Sequence, residues 1–228
     1  MSFMGNLKGR SAVTKQSKGQ NAEALALYEQ ALAAGMNNPR YILAYSVLLL
    51  RSNEFEKAKE LLVKFQKAPM TEEQKQQLFM NYSVCVYKLG NMEKALAVLE
   101  GQHAKKPSGL IYHTLGYLYV EEGDFEKARA FNEKAIEYDD EDPVCLDNMG
   151  QTYYRLAGDK RRALEYFEKA HELKPSQIDT LYFLAQYDIE NNKIEDAREK
   201  LETALEGRMS PLNYATKERI QACLDSLN

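Results

Sequence analysis

Three histidines and three cysteines are the side chains in this sequence best suited to bind a transition metal, and cysteine and histidine are also common catalytic groups. They are His103, His113, His171, Cys85, Cys145 and Cys223. No histidine has another histidine, a cysteine or a pair of carboxylates near it at the spacing of a metal motif. The cysteines are odd in number and far apart, which is typical of reduced thiols packed in a core. We therefore expect no metal site and no cofactor.

The densest run of carboxylates is EYDDEDP, at residues 137–143. A calcium-binding loop spaces its acidic ligands around a central glycine and ends in a glutamate, and this run does neither. We interpret it as a solvated loop in which Asp142 caps the helix that follows. The sequence also lacks the GxxxxGK[ST], GxGxxG, HExxH and GxSxG patterns. It therefore predicts a protein that is not an enzyme.

The overall composition narrows the class of partner. The net charge of −4 argues against nucleic acid, because binding to phosphates needs a basic face. No stretch reaches the roughly 20 apolar residues of a membrane span. The start, MSFMGNLKGR, has no signal-peptide core. We predict a cytoplasmic protein, and an anchor supplied by an upstream segment stays open as an alternative.

The elements that must position these side chains repeat along the chain. Residues 52–61 read SNEFEKAKEL, and residues 122–131 read EGDFEKARAF. Six such segments align on a shared alanine, with steps of 34, 37, 33, 35 and 34 residues. The six alanines are Ala24, Ala58, Ala95, Ala128, Ala163 and Ala197. A fixed period in this range indicates an array in which each repeat packs mainly on its neighbours.

Each repeat has the pattern of a helix, a tight turn and a second helix. Five residues before each shared alanine stands a glycine or an asparagine, the residues that tolerate a left-handed backbone. These are Gly19, Asn53, Gly90, Gly123, Gly158 and Asn192. Upstream of the turn, apolar and small residues recur at the spacing of one helix face, as at Tyr112, Leu115, Gly116 and Tyr119. Downstream, a second stripe includes Phe125, Ala128 and Ala135.

One position of the first helix is small in every repeat, so that the two helices of a pair can approach closely. These residues are Ala12, Ser46, Ser83, Gly116, Gly150 and Ala185. Together with Phe167 and Pro175 of the fifth repeat, the pattern resembles the tetratricopeptide repeat (TPR) family. The resemblance implies an all-α fold. This is an α-solenoid of about six helix-turn-helix units that form a right-handed superhelix, with a C-terminal capping helix.

The resemblance sets the expected boundaries of the array at residues 5–210. The repeats are expected at 5–38 (degenerate), 39–75, 76–108, 109–142, 143–177 and 178–210, followed by a capping helix over 211–228. Three departures stand out. The first helix carries Lys8, Ser11 and Lys15 at apolar positions, the fifth repeat has an extra residue around 156–158, and Asp188 replaces an apolar residue. We expect the first helix to be a polar cap or poorly ordered.

The resemblance also implies a concave groove, lined by the first helices, that binds peptides. The row on His113 and Tyr117 lies roughly 120° round the helix from the packing face. The candidate groove residues are Asn81, Tyr87, Lys88, His113, Tyr117, Asp147, Gln151, Tyr154, Arg155, Tyr182 and Gln186. Tyrosine rings and amide groups are suited to gripping a peptide. We interpret Leu43, Val47 and Val84 of the same row as packing between repeats.

Two functions fit these observations. The first is a non-catalytic scaffold or adaptor that binds a peptide or a helix of another protein in the groove. The second is a structural protein that acts through self-association, as a homodimer or higher oligomer, with exposed end faces or the surface around Asp188 joining the copies. The two are separable, since only self-association makes the mass of the particle depend on concentration.

Overall fold

A computed structural model describes residues 2–227, and within this range every regular element is a helix. The prediction of an all-α fold built from helix-turn-helix units is confirmed. The chain divides into two compact units, one ending at Lys105 and the other beginning at Lys106. No helix of the described residues is both long and apolar enough to cross a membrane.

Unit 1 contains six helices in three consecutive hairpins. They are α1 (Ser2–Ser17), α2 (Asn21–Ala33), α3 (Pro39–Arg51), α4 (Phe55–Phe65), α5 (Glu72–Lys88) and α6 (Met92–Lys105). Unit 2 contains three further hairpins and a last helix. Its elements are α7 (Gly109–Glu122), α8 (Phe125–Tyr138), α9 (Pro143–Gln151) with a π-helical continuation (Thr152–Ala157), α10 (Lys160–Leu173), α11 (Ile178–Glu190), α12 (Ile194–Glu206) and α13 (Lys217–Asp225).

The six predicted turn positions all have the left-handed backbone that their residue types favour. The φ angle is 59° at both Asn53 and Asn192 and lies between 66° and 91° at the four glycines. Each turn separates the two helices of a hairpin, so the prediction of a left-handed turn is confirmed at every repeat.

The positive φ angle at these turns predicts that replacing the turn residue will change the free energy of unfolding. Replacing Asn53 by alanine is expected to lower the free energy of unfolding by about 1 kcal/mol, because alanine tolerates a positive φ poorly. The side chain of Asn53 is exposed, so lost packing does not add to the effect. Asn53→Gly should leave the stability unchanged or raise it slightly. Urea unfolding followed by circular dichroism measures both, and equal losses in the two variants would show that φ is not the cause.

Small residues let the helices of each hairpin touch. All six shared alanines and all six residues of the small row are buried. In unit 2, a Cβ atom added at Gly116 would stand 2.2 Å from Oδ1 of Asn132, and one at Gly150 would stand 2.6 Å from the ring of Phe167. Both contacts are too short for a real Cβ atom, so a larger residue at either position would force the neighbouring side chain to shift.

The first helix is well formed despite its polar sequence. α1 packs through Gly5, Gly9 and Ala12, which are its buried residues. A Cβ atom at Gly5 would lie 2.3 Å from the backbone nitrogen of Met36. Near the C-terminal end of α1, the ammonium of Lys15 lies 2.7 Å from the carboxylate of Glu23 on α2. The helix is therefore a polar cap that is held by close backbone contact rather than by a large apolar face.

The extra residue of the fifth repeat is absorbed by a change of helix type. After Gln151 the helix widens into the π-helical segment, and the backbone N–H of Asp159 donates to the carbonyl of Tyr153 at 3.0 Å. A π turn takes up one residue more than an α turn over the same length. Gly158 can therefore still form the left-handed turn into α10.

The last helix, α13, packs on the last hairpin. It begins at Lys217, whereas the sequence predicted a capping helix from residue 211. α13 starts at Lys217, where the hydroxyl of Thr216 accepts from the N–H of Arg219. Ile220 and Leu224 are buried in one cluster with residues of α11 and α12. Asp188, the unexpected acid of α11, pairs with Lys200 of α12 at 2.7 Å. Its charge is thus balanced within the hairpin.

Candidate functional site

The candidate groove residues of unit 1 divide into one buried and two partly exposed side chains. Asn81 on α5 is 1% exposed, and its amide donates to Oγ of Ser46 on α3 at 2.8 Å. It therefore ties two first helices together and does not face a ligand, which corrects its assignment to the groove surface. Tyr87 and Lys88 lie at the end of α5, where the ammonium of Lys88 stands 5.0 Å from the centre of the Tyr87 ring.

Three of the candidates in unit 2 are also buried. Tyr117, Asp147 and Gln151 have exposed fractions of 5%, 3% and 0%. Gln151 donates to Oδ2 of Asp147 at 2.7 Å, and its own oxygen accepts from Arg155 at 3.0 Å. We therefore correct the assignment of these three residues from ligand contact to packing and internal hydrogen bonding.

Asp147 belongs to a buried pair of acids. A hydrogen bond of 2.6 Å joins its Oδ1 to Oγ1 of Thr180 on α11. The neighbouring Asp179 accepts the backbone N–H groups of Tyr214 and Ala215 at 3.2 and 2.9 Å. Burial and the charge of Asp179 raise the pKa of Asp147 to about 7. Burial also raises the pKa of Asp179, although its backbone hydrogen bonds and the nearby Arg155 oppose the change.

The remaining candidates in unit 2 keep part of their surface exposed. They are His113, Tyr154, Arg155, Tyr182 and Gln186. Arg155 is central among them, because its guanidinium pairs with Glu121 at 2.7 Å and stands 4.1 Å from the ring centre of Tyr214. We call Tyr154, Arg155, Tyr182 and Gln186 the Arg155 surface.

The Arg155 surface holds a non-helical segment of the chain itself, residues 207–216, which we call the strap. Two guanidinium groups lie against the ring of Tyr214 of the strap, those of Arg155 and Arg219, the latter 3.9 Å from the ring centre. Its ring also stacks on Phe183 at 5.2 Å and meets Tyr182 edge-on at 6.1 Å. No sequence pattern indicates this role, since Tyr214 lies outside the repeats.

His113 takes part in a second cluster. Its Nε2 lies 2.6 Å from Oδ2 of Asp142, and the thiol of Cys145 completes a group whose ligand atoms all lie within 4.8 Å of one another. Asp142 also caps α9 by accepting the N–H groups of Val144 and Cys145 through Oδ1. The sequence showed no such cluster, because 29 residues separate His113 from Asp142.

The ionisation of the second cluster follows from its hydrogen bonds. Burial alone would raise the pKa of Asp142, but the bonds from His113 and from two backbone N–H groups lower it to about 2. Burial raises the pKa of the Cys145 thiol, and the charge of Asp142 adds to this effect. The cluster therefore contains an ionised carboxylate beside a protonated thiol.

Comparison with known proteins agrees with the helical hairpins. Residues 17–102 match the family model of subunit 3 of the anaphase-promoting complex, or cyclosome. Residues 110–142 and 145–177 match the tetratricopeptide repeat model. No curated protein matches the chain.

Solved structures extend the likeness to almost the whole chain. A tetratricopeptide repeat protein of Parabacteroides merdae is 16% identical and superposes with a TM-score of 0.79, covering 97% of this chain and 83% of its own. A thermophilic TPR protein of Thermus thermophilus is 22% identical, with a TM-score of 0.61 and coverages of 77% and 94%. YrrB, a TPR protein with an unusual peptide-binding site, is 21% identical, with a TM-score of 0.51 and coverages of 76% and 88%. At these identities the likeness shows the fold.

Proposed function

Because the chain belongs to the tetratricopeptide repeat family, we propose that it is a scaffold that binds an extended segment of a partner protein on the Arg155 surface. Proteins of this family bind other proteins and are generally non-catalytic. The proposal adds the place of binding and the chemistry of the partner. That segment carries an aromatic residue, which takes the position that Tyr214 has in the strap.

The observation that carries the proposal is the way in which the strap is held. The ring of Tyr214 contacts two guanidinium groups, and two consecutive backbone N–H groups donate to one carboxylate, that of Asp179. Rings stacked on cations and hydrogen bonds to the main chain are the usual means of recognising an extended peptide. A surface that holds one extended segment in this way has the chemistry to hold another.

The proposal also assigns a role to the strap. Since the partner and Tyr214 use the same ring position, they compete for it. A competing intramolecular segment lowers the apparent affinity by the fraction of time it occupies the site. Removing the Tyr214 ring should therefore strengthen partner binding, whereas removing the Arg155 guanidinium should weaken it.

The test is capture from a lysate of the native host, followed by titration of the captured partner's segment. The baits are the parent chain, Arg155→Ala, Tyr214→Ala and Tyr138→Ala, each checked for helicity by circular dichroism. Tyr138 is the matched control because it is an exposed aromatic residue on a second helix, α8. We expect fluorescence anisotropy to show binding weakened about tenfold or more by Arg155→Ala. Binding should be tighter in Tyr214→Ala and unchanged in Tyr138→Ala. Equal binding to all four chains would show that the Arg155 surface is not the site.

Self-association remains the second candidate, and one observation favours it. Phe3, Met4 and Leu7 of α1 are 75%, 54% and 48% exposed, a concentration of apolar side chains on one short segment. If this face joins copies of the chain, light scattering should show a mass that rises with protein concentration, and Phe3→Ser should abolish the rise. A constant monomer mass over the whole range would contradict this candidate.

A further inference from the structure

We propose that His113, Asp142 and Cys145 form a zinc-binding site in unit 2. The three side chains lie near the starts of two consecutive hairpins. His113 lies on α7, Asp142 is the cap of α9, and Cys145 lies in the first turn of α9. Their ligand atoms already lie within 4.8 Å of one another. The proposal is independent of the partner-binding function, because it uses none of the Arg155 surface.

The donor atoms suit zinc in kind and in charge. Imidazole nitrogen, carboxylate oxygen and thiolate sulfur are the three ligand types that zinc accepts in proteins. An ionised aspartate and a thiolate together balance the two positive charges of the ion, and the imidazole stays neutral. Hard cations such as magnesium and calcium avoid sulfur, which favours zinc over them.

The distances require only small side-chain movements. Zinc binds nitrogen and oxygen at about 2.0–2.2 Å and sulfur at about 2.3 Å, so its ligand atoms stand roughly 3.2–3.7 Å apart. The 2.6 Å separation between His113 and Asp142 must therefore widen, and the sulfur must move closer. Gly109 leaves room beside the imidazole, since a Cβ atom added there would still be 3.9 Å from Nε2.

The carboxylate is held in place for this role. Oδ1 of Asp142 accepts the two backbone N–H groups at the start of α9, which leaves Oδ2 facing His113. Hydrogen bonds to the second oxygen of a ligating carboxylate orient it and strengthen metal binding. Solvent reaches the cluster, because the side chains of His113 and Asp142 are 31% and 16% exposed. A water molecule can therefore supply the fourth ligand.

Metal binding must displace the protons that the cluster holds. The thiol of Cys145 loses its proton to solvent when sulfur bonds to the ion. Nε2 of His113 must carry no hydrogen when it bonds to the ion, so the single proton of the neutral imidazole stands at Nδ1. Titration with zinc should consequently release protons into a weakly buffered solution.

The experiment uses the full chain, kept reduced, and titrates it with zinc by calorimetry and with cobalt(II) by absorption spectroscopy. The test variants are His113→Ala and Cys145→Ala. The matched controls are His171→Ala, at another half-buried histidine, and Cys85→Ala, at another fully buried thiol. Thermal unfolding with and without zinc is recorded for every chain.

We expect one zinc ion per parent chain and a cobalt spectrum with a thiolate charge-transfer band and tetrahedral bands. Each test variant should bind zinc more than about 100-fold more weakly than the parent. Loss of a ligand weakens metal binding more than loss of an outer-shell hydrogen-bond partner, which costs about 10–100-fold. Both controls should bind like the parent. If Cys145→Ala fails to fold, zinc binding by His113→Ala tests the imidazole ligand, and the cobalt spectrum of the parent tests the thiolate ligand. No binding to the parent, binding unchanged in His113→Ala, or a cobalt spectrum without the thiolate band would overturn the proposal.

Discussion

Replacing Phe167 by alanine is expected to lower the free energy of unfolding by about 3–5 kcal/mol, a loss at the upper end for a single core position. Phe167 is fully buried in unit 2. Its ring stacks on Phe183 with the centres 4.8 Å apart and meets Tyr154 edge-on at 6.4 Å. Alanine would leave a cavity that rigid helices on both sides cannot fill.

The loss can be measured by urea unfolding with a control on the same helix. Leu173 also lies on α10, but its side chain is 46% exposed, so Leu173→Ala should change the stability by well under about 1 kcal/mol. A loss of similar size in both variants would indicate that α10 depends on its helix propensity rather than on the buried ring.

Gly150 provides an independent check on the same contact. An added Cβ would stand 2.6–2.9 Å from three atoms of the Phe167 ring, so Gly150→Ala should cost about 1–3 kcal/mol in the parent. In a Phe167→Leu background the obstructing ring is gone, and the cost of Gly150→Ala should shrink. The two changes are thus expected to be non-additive. Additive losses would show that the two residues do not limit each other.

Much of the fold could be predicted because its signals are local. A left-handed turn constrains the residue that occupies it, so the six glycine and asparagine positions were visible in the sequence and have positive φ angles. The small row was equally clear, since only small residues fit where two helix backbones meet. The extra residue of the fifth repeat could be counted, but counting does not distinguish a longer loop from the π-helical turn that absorbs it.

The candidate site was harder to predict, because exposure depends on elements far away in the sequence. Helical periodicity places Asp147 and Gln151 on the same row as the partly exposed Tyr154, yet both are buried, and Asp147 bonds to Thr180, 33 positions further along the chain. The strap adds a further layer that no repeat pattern describes. The cluster around His113 could not be predicted for the same reason, because its members meet only when two hairpins pack.

The free energy of unfolding is expected to fall by a few kcal/mol as the pH rises from about 4 to about 7, because of the buried acids Asp147 and Asp179. The pKa of Asp147 rises from its ordinary value of 3.8 to about 7 in the folded chain. Between these values the folded state holds a proton that the unfolded state has released. The unfolded state therefore binds fewer protons, and stability decreases with increasing pH across this window.

Other charged groups near the pair do not reverse this sign. The positive charge of Arg155 opposes the rise in the pKa of Asp179 without cancelling it. The pKa of Asp142 is instead lowered to about 2, so its contribution is present above about 4 and is lost as the pH falls through 2. The two effects therefore occupy separate ranges of pH.

Asp147→Asn should remove most of the slope and stabilise the chain at pH 8. The amide mimics the protonated acid, since its oxygen can accept from Gln151 and its nitrogen can donate to the hydroxyl of Thr180. Asp196→Asn is the matched control, because Asp196 is an exposed aspartate on α12. Urea midpoints measured from pH 4 to pH 8 for the three chains compare the slopes. If the parent and Asp147→Asn keep the same slope, the pair is not the source. If Asp147→Asn is less stable at pH 8, the ionised carboxylate is favoured where it lies, and the raised pKa is wrong.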